Sequence, residues 1–265
     1  MPATLWLPAL IKAATTALLV VCASALAEAL GPFWGALVAS LPVSAGPAYV
    51  FLAMQHNSDF IAASALSSAA ANAATGLFLL VYAILARRMS PWQGLGVAVL
   101  AWLVASLAIR PVVWSPATVL LLNLGAYGIG FILCRSVEPA SIAPAASRTR
   151  RSFDIPVRAI AVALFVTAVV VASSMLGPEA TGIAAVFPIS LISLIVILRP
   201  RIGGAASAVL AASALRAMLG FGLMLLTLHL TIPLWGTGTA LMVALFVSVA
   251  WSGGLLILRR RSHPG

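Results

Sequence analysis

The chain has 265 residues, 63% of them hydrophobic and only 8% charged, with a mean hydropathy of +1.14. No soluble domain can bury that much apolar surface, so the composition excludes a water-solvated fold and makes lipid the solvent. The formal net charge of +10 does not imply a nucleic-acid partner, because the arginines sit in short clusters at the ends of apolar runs, where the positive-inside rule places them.

A transmembrane helix needs about 20 apolar residues. In chain order, the qualifying runs are 5–30, 33–54, 60–86, 92–109, 115–134, 156–176, 179–198, 204–229 and 234–258. Within the first, Thr15 to Ala27 has the look of a signal-peptide core ending in an Ala25-Leu26-Ala27 box. It lacks a basic leader and has a counterpart later in the chain, so it is expected to be a membrane helix. The stretch from Ser136 to Asp154 is the one long polar linker, with Arg148, Arg150 and Arg151 among Pro, Ala and Ser, and it reads as a cytosolic loop. Cys22 and Cys134 each belong to an apolar run and suggest neither a disulfide framework nor a metal site.

The chain repeats itself. Lys12, Gly31-Pro32, Ala39 and Leu41-Pro42-Val43-Ser44 correspond, 146 positions on, to Arg158, Gly177-Pro178, Ala185 and Phe187-Pro188-Ile189-Ser190. At slightly smaller offsets, Ala62-Ala63-Ser64 matches Ala205-Ala206-Ser207, and Gly76 with Leu79 matches Gly220 with Leu223. Pro91, Gly94, Gly96 and Ala98 match Pro233, Gly236, Gly238 and Ala240. Five helices separate equivalent positions, so the second copy enters the membrane from the opposite side. Placing Arg259-Arg260-Arg261 in the cytosol puts twelve of the fourteen arginines there, leaving Arg110 outside and Arg216 within a helix.

The expected fold is therefore an all-α polytopic membrane protein with nine transmembrane helices in an inverted 4+1+4 repeat, N-terminus out and C-terminus in. Its parts are a four-helix repeat (1–110), a linking helix (111–135), a cytosolic loop (136–155) and the inverted repeat (156–265). The Pro-centred motifs at 41–44 and 187–190 each lie in a half with four apolar runs, and in this the chain resembles the GlpM-like small four-helix membrane proteins. The resemblance implies a fused duplicate of such a unit, with helix 115–134 inserted to reverse the second copy. The length, the inserted helix and the long loop depart from that pattern, and no substrate or functional residue carries over.

Inverted repeats are a usual build of secondary transporters, whose sites lie near the midplane and use helices broken by Gly or Pro in both halves. Pro42 and Pro188, each followed two residues later by a serine (Ser44, Ser190), and Gly46 in the first half fit that description. A mid-helix proline frees a carbonyl, and such backbone is tolerated at depth only inside protein or a watery cavity. The alternative is a packing kink with the serines bonded to their own helix. Arg216 stands near the centre of its span, where a charge costs about 2.5–3.5 kcal/mol. Its repeat partner is Asn72, and the two are expected to face each other across the pseudo-axis. Arg216 reads either as an anion ligand or as a structural, hydrogen-bonded arginine, unless the span is misplaced. Asn123 and Tyr127, at helical spacing on the linking helix, are expected to bond across helices.

No nucleophile elbow, paired carboxylates or metal-ligand cluster appears, so no enzyme, cofactor or metal is expected. The resulting expectation is a secondary transporter of a small polar or anionic metabolite in a bacterial-type inner membrane. Ser44, Asn72, Ser190 and Arg216 would contact substrate, and Pro42, Gly46 and Pro188 would break the helices. A channel, a lipid-translocating protein or a non-transporting scaffold are the alternatives. The partners are the bilayer and the substrate, with no nucleic acid, and a homo-oligomer is compatible with the pattern.

Overall fold

The computed structural model describes residues 45–136 and 154–262, together with Ala14, Thr15 and Leu18. All regular structure among these residues is helical. The elements are α1 (Ala45–Ala53), α2 (Ser58–Leu85), α3 (Pro91–Ile109), α4 (Pro116–Leu133) with a 3-10 turn at Cys134–Ser136, α5 (Asp154–Ala185) and α6 (Ile189–Ser262). The starts follow from local chemistry. The Asn57 side chain accepts the Phe60 N–H, and Ser90 and Ser115 form capping boxes with Gln93 and Thr118, each with proline opening the first turn. Four stretches are long and apolar enough to cross a membrane: α2, α3, α4 and the run Pro156–Leu255 through α5 and α6.

That last run is not one rod. Gly177, Gly203 and Gly236 take φ near +75° with ψ of 173°, 174° and 164°, a region open essentially to glycine alone. The chain doubles back at these corners. Phe165 and Phe187 would be about 33 Å apart along a continuous helix, yet their rings lie 5.5 Å apart across Gly177. Across Gly236, the Trp251 indole N–H reaches the Arg216 carbonyl at 2.9 Å.

The hydrogen bonds give the directions of the segments. α2 and α3 are antiparallel, since Trp102 bonds to Thr75 and Gly94 sits beside Leu85. α4 runs parallel to α2, with Asn123 at Ala69 and Tyr127 at Asn72 and Gly76. The segment after Gly177 is also parallel to α2, whereas the segment after Gly203 is antiparallel, its Gly204 against Ala86 and its His229 at Ala62. α2 is thus the central helix. About 78% of its apolar window is buried, against 28% for α3 and 22% for α4.

Expected spans 60–86, 92–109 and 115–134 agree with α2, α3 and α4 to within two residues. The expected span 179–198 is instead two pieces, ending at Ala185 and restarting at Ile189. The last two expected spans run further than their apolar cores, to the corner at Gly236 and to Ser262. Most of the expected spans 5–30 and 33–54 lies outside the described residues.

Candidate functional site

The middle of α2 presents Ser64, Ser68, Asn72 and Thr75, whose spacing puts them along one helical stripe, and all four are buried. Three of them serve the neighbouring segment. Ser64 donates to the Pro178 carbonyl (3.0 Å), Ser68 to Gly182 (2.6 Å) and Thr75 to Val186 (3.3 Å). Tyr49 of α1 meets the Ser68 hydroxyl at 2.6 Å. A Cβ at Gly182 would overlap the Ser64 carbonyl, so the absence of a side chain is what allows the two helices this close.

The stripe leads to the interruption. Pro188, buried, has no N–H to offer Ala184, whose carbonyl is taken instead by the Phe187 N–H at 3.0 Å. The Val186 carbonyl, turned out of the ladder, is the one Thr75 covers. Helix resumes when Ile192 bonds to the Pro188 carbonyl at 2.8 Å. Trp102 of α3 donates to Thr75 at 3.2 Å and packs edge-on against Phe187, with centroids 5.1 Å apart. A helix interrupted at depth is thus sealed on its α2 and α3 side.

Several buried polar atoms of this part of the bundle have no partner. The Ser190 hydroxyl is buried and unbonded, and so are Ser106 Oγ, Thr167 Oγ1, Thr181 Oγ1 and Asn72 Oδ1. The α2–α3 pairing sets Ser106 about level with Asn72, and the hairpin at Gly177 sets Thr167 level with the break. Buried polar atoms are ordinarily bonded, so each of these can still take a partner.

Asn72 is otherwise committed. Its Nδ2 donates to Asn123 Oδ1 and to the Met218 carbonyl, both at 3.0 Å, while Asn123 donates to Ala69 (2.8 Å) and Val119 (2.9 Å). Tyr127 donates to the Asn72 carbonyl at 2.9 Å. Asn123 and Tyr127 do bond across helices. Arg216 is exposed, two residues before Met218 and so on the other side of its helix, and no hydrogen bond joins it to Asn72. The structure does not bring this expected pair together. Ser190 lies beside the break that contains Pro188; Gly46 lies in the first turn of α1, with no described residue within 4 Å of where a Cβ would stand. Ser44 and Pro42 lie outside the described residues.

The charge pattern alone places Arg199 among the cytosolic arginines. Arg199 is 7% exposed, donating to the Tyr82 hydroxyl (3.3 Å) and the Met89 carbonyl (2.7 Å), with the guanidinium 5.9 Å from the Tyr82 ring centroid. A cation on the carbonyls beyond the C-terminal end of α2 is favoured by the helix dipole. Thr75 and Trp102 were also missed, although the spacing of Ser64, Ser68 and Thr75 was available as a signal. Among the described residues no cluster of His, Cys, Asp and Glu could hold a metal.

No family model, curated protein or solved structure matches this chain. Function has to be argued from the site itself.

Proposed function

We propose that the chain is a secondary transporter of a small polar or anionic metabolite, built as a nine-helix inverted repeat in a bacterial-type inner membrane. The observation that carries this reading is the helix interrupted at Val186–Pro188 inside the apolar bundle, with the unbonded Ser190 hydroxyl beside it. In this reading Ser190 and its repeat counterpart Ser44 hold the substrate, and the open first turn of the 189–202 segment favours an anion. The Thr167 hydroxyl can donate to such an anion, and Asn72 Oδ1 can accept from a donor group on a polar substrate. No residue performs covalent chemistry.

A structural correspondence supports the repeat. Tyr127 donates to the Asn72 carbonyl and lies on Gly76, and Trp251 donates to the Arg216 carbonyl and lies on Gly220. The acceptors Asn72 and Arg216 and the glycines 76 and 220 are each related by 144 positions, while the donors Tyr127 and Trp251 come from different places in the chain. A duplicated GlpM-like unit with α4 between the copies accounts for this arrangement, and the arginine distribution supports the N-out, C-in orientation.

The test is thermal stability of the detergent-purified protein against carboxylates, phosphates, sulfonates, amino acids and organic cations. Ligand at about 100 times its Kd stabilises the native state by about 2.7 kcal/mol. One chemical class is expected to raise the transition, and Ser190→Ala is expected to remove that shift while leaving the ligand-free protein folded. A flat response to every class would sink the transporter reading.

A further inference from the structure

His56 and Arg199 hold equivalent places in the two halves. At the offset of 143 that relates Ala62-Ala63-Ser64 to Ala205-Ala206-Ser207, one falls on the other. His56 stands between α1 and the start of α2, and Arg199 stands just before the Gly203 corner. Each reaches across to the other half. His56 Nε2 lies 2.7 Å from the hydroxyl of Ser173 on α5. That hydroxyl donates its one proton to the Val170 carbonyl, also at 2.7 Å, so the imidazole N–H is the donor to Ser173. Arg199 donates to the Tyr82 hydroxyl and to the Met89 carbonyl. The first contact stands before the start of α2 and the second at its far end. The 28 residues of α2 set them about 42 Å apart, a full membrane thickness.

What Arg199 holds is a rod between two joints. Pro188 interrupts the chain at one end of the 189–202 segment, and Gly203 turns it with φ of 76° at the other. Between them, every residue from Ile189 to Leu194 is half-buried and none is fully buried. The preceding segment differs, with Thr181, Gly182, Ala185 and Val186 all buried. A helix with no buried face has little apolar contact to keep it in place. Its ends are pinned instead, by Thr75 and Trp102 around the break and by Arg199 before Gly203. At the other end of α2, His56 is half-buried and stacked on Phe60, with ring centroids 3.8 Å apart.

We propose that Arg199 and His56 are the latches of two gates, one at each face of the membrane. With both closed, as in this structure, the Ser190 hydroxyl is buried. Release of Arg199 from Tyr82 and Met89 lets the 189–202 segment swing about Pro188 and Gly203, and opens Ser190 to the cytosolic face. Release of His56 from Ser173 parts the α1–α2 turn from α5 and opens the outer face. The inference rests on the transport reading for the place of the site and for which face is cytosolic. Arg199 uses a charged donor and two acceptors where His56 makes one bond, so the outer latch is the weaker.

The experiment uses the full chain with Cys22→Ala and Cys134→Ala, and with Ser190→Cys as reporter, in right-side-out and inverted vesicles. A membrane-impermeant methanethiosulfonate is added to one face, and the rate of modification is measured. Arg199→Gln should speed modification from the cytosolic face about tenfold, as loss of a charge-assisted hydrogen bond allows, and leave the outer-face rate unchanged. Arg199→Lys, which still reaches toward the Met89 carbonyl, should stay close to the parent. His56→Phe keeps a ring on Phe60 without the donor, and should speed modification from the outer face alone. Acceleration from both faces by either variant would mean general loosening of the bundle and overturns the proposal. Unchanged rates overturn it equally. No substrate is added, so this test and the ligand test fail separately. A thermal shift with unchanged rates keeps the transporter and removes the latches, whereas one-sided acceleration without any thermal shift keeps the latches.

Discussion

The regions around Gly76 and Gly220 solve one packing problem in two ways. In a helix the carbonyl of residue i bonds to the N–H of residue i+4, and a side chain at i+4 crowds the carbonyl's second lone pair. Glycine at that place leaves it open. Tyr127, arriving on α4, uses the opening over Gly76 to reach the Asn72 carbonyl, and Trp251, folded back across the Gly236 corner, uses the one over Gly220 to reach Arg216. The fits differ. A Cβ on Gly76 would stand 3.1 Å from the Tyr127 ring, whereas one on Gly220 would fall within the Trp251 indole. The larger ring on the shorter connection is the tighter contact, and the polar residue beside it remains exposed.

That difference makes the same substitution unequal. Gly220→Ala should destabilise by about 3 kcal/mol, the upper part of the overpacking range, because the indole has to leave both the helix surface and its hydrogen bond. Gly76→Ala should cost about 1 kcal/mol, since the phenol need yield only a few tenths of an ångström. Unfolding free energies in mixed micelles check both, and equal penalties would break the contrast. Between them falls Asn72→Ala, expected at about 2 kcal/mol, because it strands Asn123 Oδ1 in a buried site. Its counterpart Arg216→Ala strands no buried side-chain partner among the described residues, so it should cost less than Asn72→Ala. A loss as large as that of Asn72→Ala would show that Arg216 is buried by a contact within the chain.

Much of the framework was legible in the sequence, and the limits were physical. Glycines at 177, 203 and 236 stand at or near the ends of expected spans, where only glycine can turn the chain with φ near +75°. Pro188 announced an interruption because its missing N–H acts locally. The direction in which Arg216 points was not legible: its span is apolar on every side, so no periodic face indicates which neighbour a given residue meets. Arg199 was hidden for a related reason. A basic residue at a span end looks the same in sequence whether it is solvated or inserted against Tyr82, a residue 117 positions away. The stripe of Ser64, Ser68 and Thr75 had helical spacing, but small residues in a membrane helix equally suit plain close packing.

A smaller effect isolates the aromatic hydrogen bonds from the packing around them. Tyr127→Phe and Trp251→Phe each remove the donor to a helix carbonyl, but only the first keeps the ring size. Polar contacts between membrane helices average about 0.6 kcal/mol in double-mutant cycles, because the unfolded chain in the membrane also finds partners. Tyr127→Phe should therefore lose about 0.6 kcal/mol. The Asn72 carbonyl keeps its place in the α2 ladder, so no acceptor is stranded. Trp251→Phe should lose a similar amount for the bond and somewhat more for the vacated indole area over Gly220. Combining each with the alanine substitution at its own glycine separates the terms: once the ring has been pushed away, removing its donor should have little further effect. Full additivity at Gly220 would mean that the indole keeps its bond to Arg216 despite the added Cβ, and the contact there would be no tighter than its counterpart at Gly76.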